Sequence, residues 1–183
     1  VNHELSTSWQ AASLSPSPTA TDAEWCRRVY LRLLGRIPTK RELDVFVSSK
    51  PSAVQRAELV ERLLHDKQYA EEYARHWTTI WTNLLIGRRG GIGKGDLANR
   101  EGLQKYLQDG FQQNKPYDQM AYELISATGS NTPGAEDYNG AVNFMLASMN
   151  NQATLATART SRIFLGKQLQ CVQCHKHPTN NWA

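Results

Sequence analysis

The chain reads as an all-α protein, a bundle of about seven or eight helices, on three observations. Reciprocal helix-start signatures recur in its first third, with Thr21 answered by Glu24, Thr39 by Glu42 and Ser52 by Gln55. Apolar residues then repeat at intervals of three and four, the period of one helical face. Nowhere does an alternation of apolar and polar residues last long enough to make a strand.

Residues 1–20 are expected to form an N-terminal helix and a linker, with PSPT at 16–19, ahead of an all-helical domain over 21–183. TATDAEWCRRVYLRLLG spaces Trp25, Val29 and Leu33 along one side and stops at Gly35, a residue suited to the left-handed conformation that ends helices. IPTKRELDVFV restarts behind Pro38, and SAVQRAELVERLLHD carries Val54, Leu59 and Leu63. The longest amphipathic run, QYAEEYARHWTTIWTNLLIG, sets Tyr69, Tyr73, Trp77, Ile80, Trp81 and Leu84 on one broad face and ends in the loop GRRGGIGKGD. LANREGLQKYLQDGFQQN and PYDQMAYELISATG make two more helices around the turn NKPYD. Beyond the polar stretch SNTPGAEDYNG, the segments AVNFMLASM and QATLATARTSRIFLG complete the series, divided at Asn150 and Asn151.

With 183 residues, 40% of them hydrophobic, the chain is long enough to bury a real core. A net charge of +4 arises from basic residues interleaved with acidic ones, not gathered into a stripe, so no nucleic-acid partner is expected. No run nears the roughly 18 apolar residues of a membrane span, and residues 1–20 lack the basic start and apolar stretch of a secretory signal. The chain is therefore expected either to stay in the cytosol or to have lost a targeting segment.

The loop GRRGGIGKGD lacks the spacing of a phosphate cradle: Arg88 stands six places before Lys94 where glycine is needed, and Gly95 stands where a hydroxyl should follow. It reads as a mobile, solvated loop. The neighbouring carboxylates Glu71 with Glu72, and Glu136 with Asp137, point to different sides of a helix and converge on nothing. No serine stands in a nucleophile-elbow sequence. These absences leave a catalytic role without a residue set. Cys26, one turn before Tyr30, reads as a small buried hydrophobe.

The other two thiols are different in kind. In Cys171-Val172-Gln173-Cys174-His175 the order and spacing match covalent haem attachment, in which two thiols form thioethers with the vinyl groups and the imidazole binds iron. Rival readings are a zinc site including His177, a thioredoxin-like redox pair, or an idle motif. Zinc is disfavoured because its ligands would crowd one short segment, and the redox pair because the context is helical.

Several blocks in order give the chain a wider resemblance: RRVYLRLLGRIPTKREL, VERLL, YARHWTTIW, NKPYDQMAYELI, GAVNF and FLGKQLQCVQCHKHPTNNW. Together they resemble the planctomycete-type cytochrome c-associated domain of unknown function, over nearly the whole chain. That family usually has Asp-Leu-Thr-Gly where Arg32-Leu33-Leu34-Gly35 stands here, and Pro-Phe-Asp where Pro178-Thr179-Asn180 stands. Its members continue past the position of Trp182, so the chain is either a fragment or a short relative. The resemblance implies an exported protein, periplasmic or extracellular, with haem c at Cys171 and Cys174, His175 as proximal iron ligand, and a C-terminal haem-binding loop.

Three expectations follow. The function is single-electron transfer by a monohaem c-type cytochrome-like domain to a redox partner protein or the subunits of a membrane complex. The alternative is a non-catalytic scaffold subunit whose CxxCH motif holds another metal or no haem. The second iron face falls to His76, on an apolar helix face, ahead of Met145 and Met149; His3 and His65 read as solvated, and His177 is tethered too closely to His175.

Overall fold

A computed structural model describes residues 2–149 and 153–169. Among the described residues the chain is all-helical, with nine α-helices, one short 3-10 turn at Lys67–Tyr69, and a single isolated bridge between Ser130 and Tyr138. The helices are α1 (Asn2–Ala11), α2 (Asp22–Leu34), α3 (Lys40–Ser48), α4 (Ala53–His65), α5 (Ala70–Ile86), α6 (Arg100–Gln112), α7 (Tyr117–Ser126), α8 (Val142–Met149) and α9 (Ala153–Phe164). The count exceeds seven or eight because the N-terminal helix and all eight later segments stand as separate helices. None of those described is long and apolar enough to cross a membrane.

The three capping signatures are realised in hydrogen bonds. Thr21 N–H donates to Glu24 at 2.9 Å while Glu24 N–H donates back to Thr21 Oγ1 at 3.3 Å. Thr39 with Glu42 forms the full reciprocal box that opens α3, and Ser52 with Gln55 does the same before α4. Each box supplies partners to backbone N–H groups that the first helical turn leaves bare. At the other end of α2, Gly35 takes φ +70°, the left-handed stop that glycine adopts without a steric penalty.

By its contacts the chain divides into two compact units: residues 1–32 with 36–60, and residues 33–35 with 61–183. In the first unit Cys26, Tyr30, Phe46 and Leu59 are buried, Cys26 as the small-hydrophobe reading expects. Trp25 stacks on Phe46 with centroids 5.5 Å apart, and the Arg56 guanidinium covers the Trp25 ring while bonding Asp22.

Arg36 grips both Glu42 oxygens at 2.9 and 3.0 Å, and that pairing, with the Thr39 N–H, lowers the Glu42 carboxyl from 4.5 to about 2. A folded pKa below the unfolded one contributes stability that is complete above the unfolded pKa and lost as pH falls through the folded one. Both side chains are 20–28% exposed, so solvent screens part of the interaction. Glu42→Gln is expected to cost about 1–2 kcal/mol at neutral pH and to flatten the acid limb of stability below the carboxyl's ordinary range. Urea midpoints followed by circular dichroism across that range check it.

The core of the second unit gathers Leu85 and Ile86 of α5, Leu103 and Leu107 of α6, Met120 and Leu124 of α7, and Phe144 of α8. The face buried on α5 differs from the one its apolar residues mark. Ala74, Thr78, Thr82, Leu85 and Ile86 are buried, whereas Ile80 and Leu84 are 40% and 46% exposed. Small side chains let a neighbouring helix approach closely, and the bulky aromatics stand at the edge of that seam.

Candidate functional site

Cys171, Cys174, His175 and His177 lie outside the described residues, and so does the expected haem-binding loop. Three of the residues picked out from the sequence stand on helices that are described: His76 on α5, Met145 and Met149 on α8. The side chain of Met149 is likewise outside the described set.

His76 is half-buried. Its ring lies edge-on to Trp77, with centroids 5.6 Å apart, and rests on the bare backbone of Gly35. A methyl group at Gly35 would fall 2.8 Å from the ring Cγ, with Nδ1 the nearest ring atom of all. Gly35 thus serves twice, closing α2 and making room for an imidazole. Among the described residues no group of three or more His, Cys, Asp or Glu side chains that could hold a metal ion occurs.

Met145 points into different surroundings. It is half-buried against the core and lines a mainly apolar groove of about 280 Å³ with Ile125, Ala156 and Thr160. The groove's other wall is α9, the helix that precedes the CxxCH segment in sequence. A thioether in apolar surroundings is chemically suited to a soft ligand role, and equally to filling a core gap.

Arg159, not singled out from the sequence, holds α9 to α8. Its guanidinium reaches the Ala147 carbonyl at 3.5 Å and Ser148 Oγ at 3.4 Å, near the C-terminal end of α8 where carbonyl dipoles favour a cation. Burial, and then the charge of Arg162, make its protonated form less favourable than usual. The signal was a basic residue inside the small-residue run TARTSR.

A polar junction sets the start of α6. Asn143 is fully buried; its Oδ1 accepts from the Asn99 N–H at 2.6 Å and from Asn131 Nδ2 at 3.2 Å, and its Nδ2 donates to the Gly140 carbonyl at 2.9 Å. Asn99 in turn caps α6 through Gly102 N–H at 3.0 Å. Gly140 passes so close to Gly102 that a side chain there would strike its carbonyl. The block GAVNF, residues 140–144, is therefore a structural clamp. The neighbouring glycine-rich loop is anchored as well: Arg100 donates to the carbonyls of Gly87 and Gly90 and to Asn83 Oδ1.

The whole chain, residues 1–183, matches the family model PSCyt2, described as a protein of unknown function (DUF1549). No curated protein and no solved structure matches it. A match over the full length places the chain in that family: the chain belongs to the PSCyt2 (DUF1549) family.

Proposed function

We propose that this protein is a monohaem c-type cytochrome-like domain that passes single electrons to a partner protein or membrane complex outside the cytoplasm. The observation that carries the reading is the pentapeptide Cys171 to His175, whose order and spacing suit thioether attachment with an adjacent imidazole ligand. Family membership under a cytochrome-derived name supports it. Bound there, haem c would supply a one-electron iron couple.

The chain's own residues have separate tasks in this reading. Cys171 and Cys174 anchor, and His175 ligates the near iron face. His76 is the leading residue for the far face, with Nδ1 turned to Gly35 and Nε2 left as the coordinating nitrogen. Met145 is the alternative, since its thioether lies in a mainly apolar groove that adjoins α9. Because thioethers of this type are made after export, the protein belongs in the periplasm or beyond it.

The test is a pyridine haemochrome spectrum with intact mass, on protein exported from a host that matures c-type cytochromes. One covalent haem per chain is expected, falling to none in the Cys171→Ala, Cys174→Ala double variant. A haem-free protein with both thiols open to alkylation overturns the reading in favour of a scaffold subunit. On the haem-loaded protein, His76→Ala is expected to give high-spin iron; if Met145→Ala does so instead, the far ligand is the methionine.

A further inference from the structure

The aromatic residues of α5 do not all serve its core. Tyr73, Trp77 and Trp81 recur every fourth residue, so their rings follow one another at about 6 Å along the helix axis. Facing them are Phe111, at the end of α6, and Tyr117, which opens α7. Phe111 lies 6.3 Å from Tyr73 and 6.4 Å from Trp81, and Tyr117 lies 5.9 Å from Trp81, between centroids. Between these rings is an open cleft of about 450 Å³, within the usual size of small-ligand sites.

Its polar groups narrow the ligand. Asn114, held at φ +49° in the turn between α6 and α7, and Lys115 line the cleft. The Lys115 ammonium is bonded to Glu123 and sits 4.8 Å from the Tyr106 ring centroid, so its charge is answered on its own side of the wall. The Tyr106 hydroxyl also donates to Glu123, at 2.7 Å. A cationic ligand would gain from the aromatic faces, but the charged side chain at the cleft is itself a cation, and no carboxylate is among the described residues lining it. An anionic ligand would have to compete with Glu123. A wholly apolar ligand would strip water from Asn114 and Lys115 without replacing it. Trp77 Nε1 is buried with no acceptor among the described residues, so Trp77 presents carbon, not its N–H, to the cleft.

What fits is a neutral molecule with apolar faces and a hydrogen-bonding perimeter. We propose that this cleft binds a neutral carbohydrate, the C–H faces of its pyranose rings lying on the α5 aromatic ladder and its hydroxyl edge turned to Asn114, Lys115 and Tyr117. The proposal is independent of haem, and its test does not depend on haem loading.

The test is affinity electrophoresis of the whole chain in gels containing hydroxyethylcellulose, xylan or galactomannan, with polygalacturonate as a charged comparator. At least one neutral polymer is expected to retard the wild type. Tyr117 is 54% exposed, so Tyr117→Ala removes a ring while sparing the fold, and it is expected to weaken binding about two- to tenfold; Trp81→Ala should weaken it at least as far. Circular dichroism confirms that each variant is folded. The proposal is overturned if no neutral polymer retards the wild type, or if retardation survives Tyr117→Ala unchanged. It is equally overturned if only polygalacturonate retards the protein, or if tetramethylammonium quenches tryptophan fluorescence while neutral sugars do not; that last result marks a cation cage.

Discussion

Asn143→Leu is expected to cost about 2–4 kcal/mol, although leucine has the same branched skeleton of side-chain heavy atoms as asparagine and prefers a core. Three bonds are lost: the Asn99 N–H is left without its acceptor, the Gly140 carbonyl keeps only the long 3.4 Å bond from the Asn143 backbone N–H, and the Asn131 amide keeps its bond to the Leu97 carbonyl. Asn131 is only half-buried and can turn to water, so the Asn99 N–H and the Gly140 carbonyl carry most of the effect. Asn143→Ala removes the same three bonds but opens a space that water can enter, and is expected to cost less than the leucine variant. Urea unfolding followed by tryptophan fluorescence reads both. If leucine is tolerated as well as alanine, the amide is not a hub.

The second large effect is expected at Gly35. Alanine there must hold φ +70°, at a cost of about 1 kcal/mol, and must also push its methyl into the His76 ring. Overlap of that kind costs a further 1–3 kcal/mol when the neighbour cannot retreat. The two contributions are separable. In a Gly35→Ala, His76→Ala double variant the ring is gone and the backbone cost remains, so the pair should show a coupling of about 1–3 kcal/mol in a double-mutant cycle. A coupling near zero would mean that the imidazole swings aside freely.

The parts of this fold that are local in sequence are legible in sequence. Each capping box closes within four residues, and Gly35 ends α2 by its own backbone freedom, so helix starts and stops can be read without knowing what packs on what. Partner choice across the chain is not written so plainly. On α5 the aromatic and branched residues mark the most apolar stripe, yet the core takes Thr78 and Thr82 and leaves Leu84 exposed, because close approach of a helix selects for small side chains. Asn143 could have been noticed as the lone polar residue in AVNFML, but its partners, Asn99 and Asn131, cannot be guessed from spacing. The candidate site divides in the same way. His76 sits against Gly35, a residue 41 positions earlier that the sequence marks only as a helix stop, and Met145 acquires its groove from α9 and Ile125.

The Asn99 N–H finds its acceptor 44 positions further along the chain. On a ribosome adding roughly 5–20 residues per second, residue 143 is made about 2–9 s after residue 99, and later still by the time it clears the exit tunnel. During that wait α6 has its Asn99 carboxamide cap, the Arg100 anchor to Asn83 already synthesised behind it, and only water for the Asn99 N–H. The order of synthesis thus leaves one clasp of the second unit open until GAVNF emerges. Stalled nascent chains that expose residue 143 should resist protease near Asn99, and those that stop short of it should be cut there.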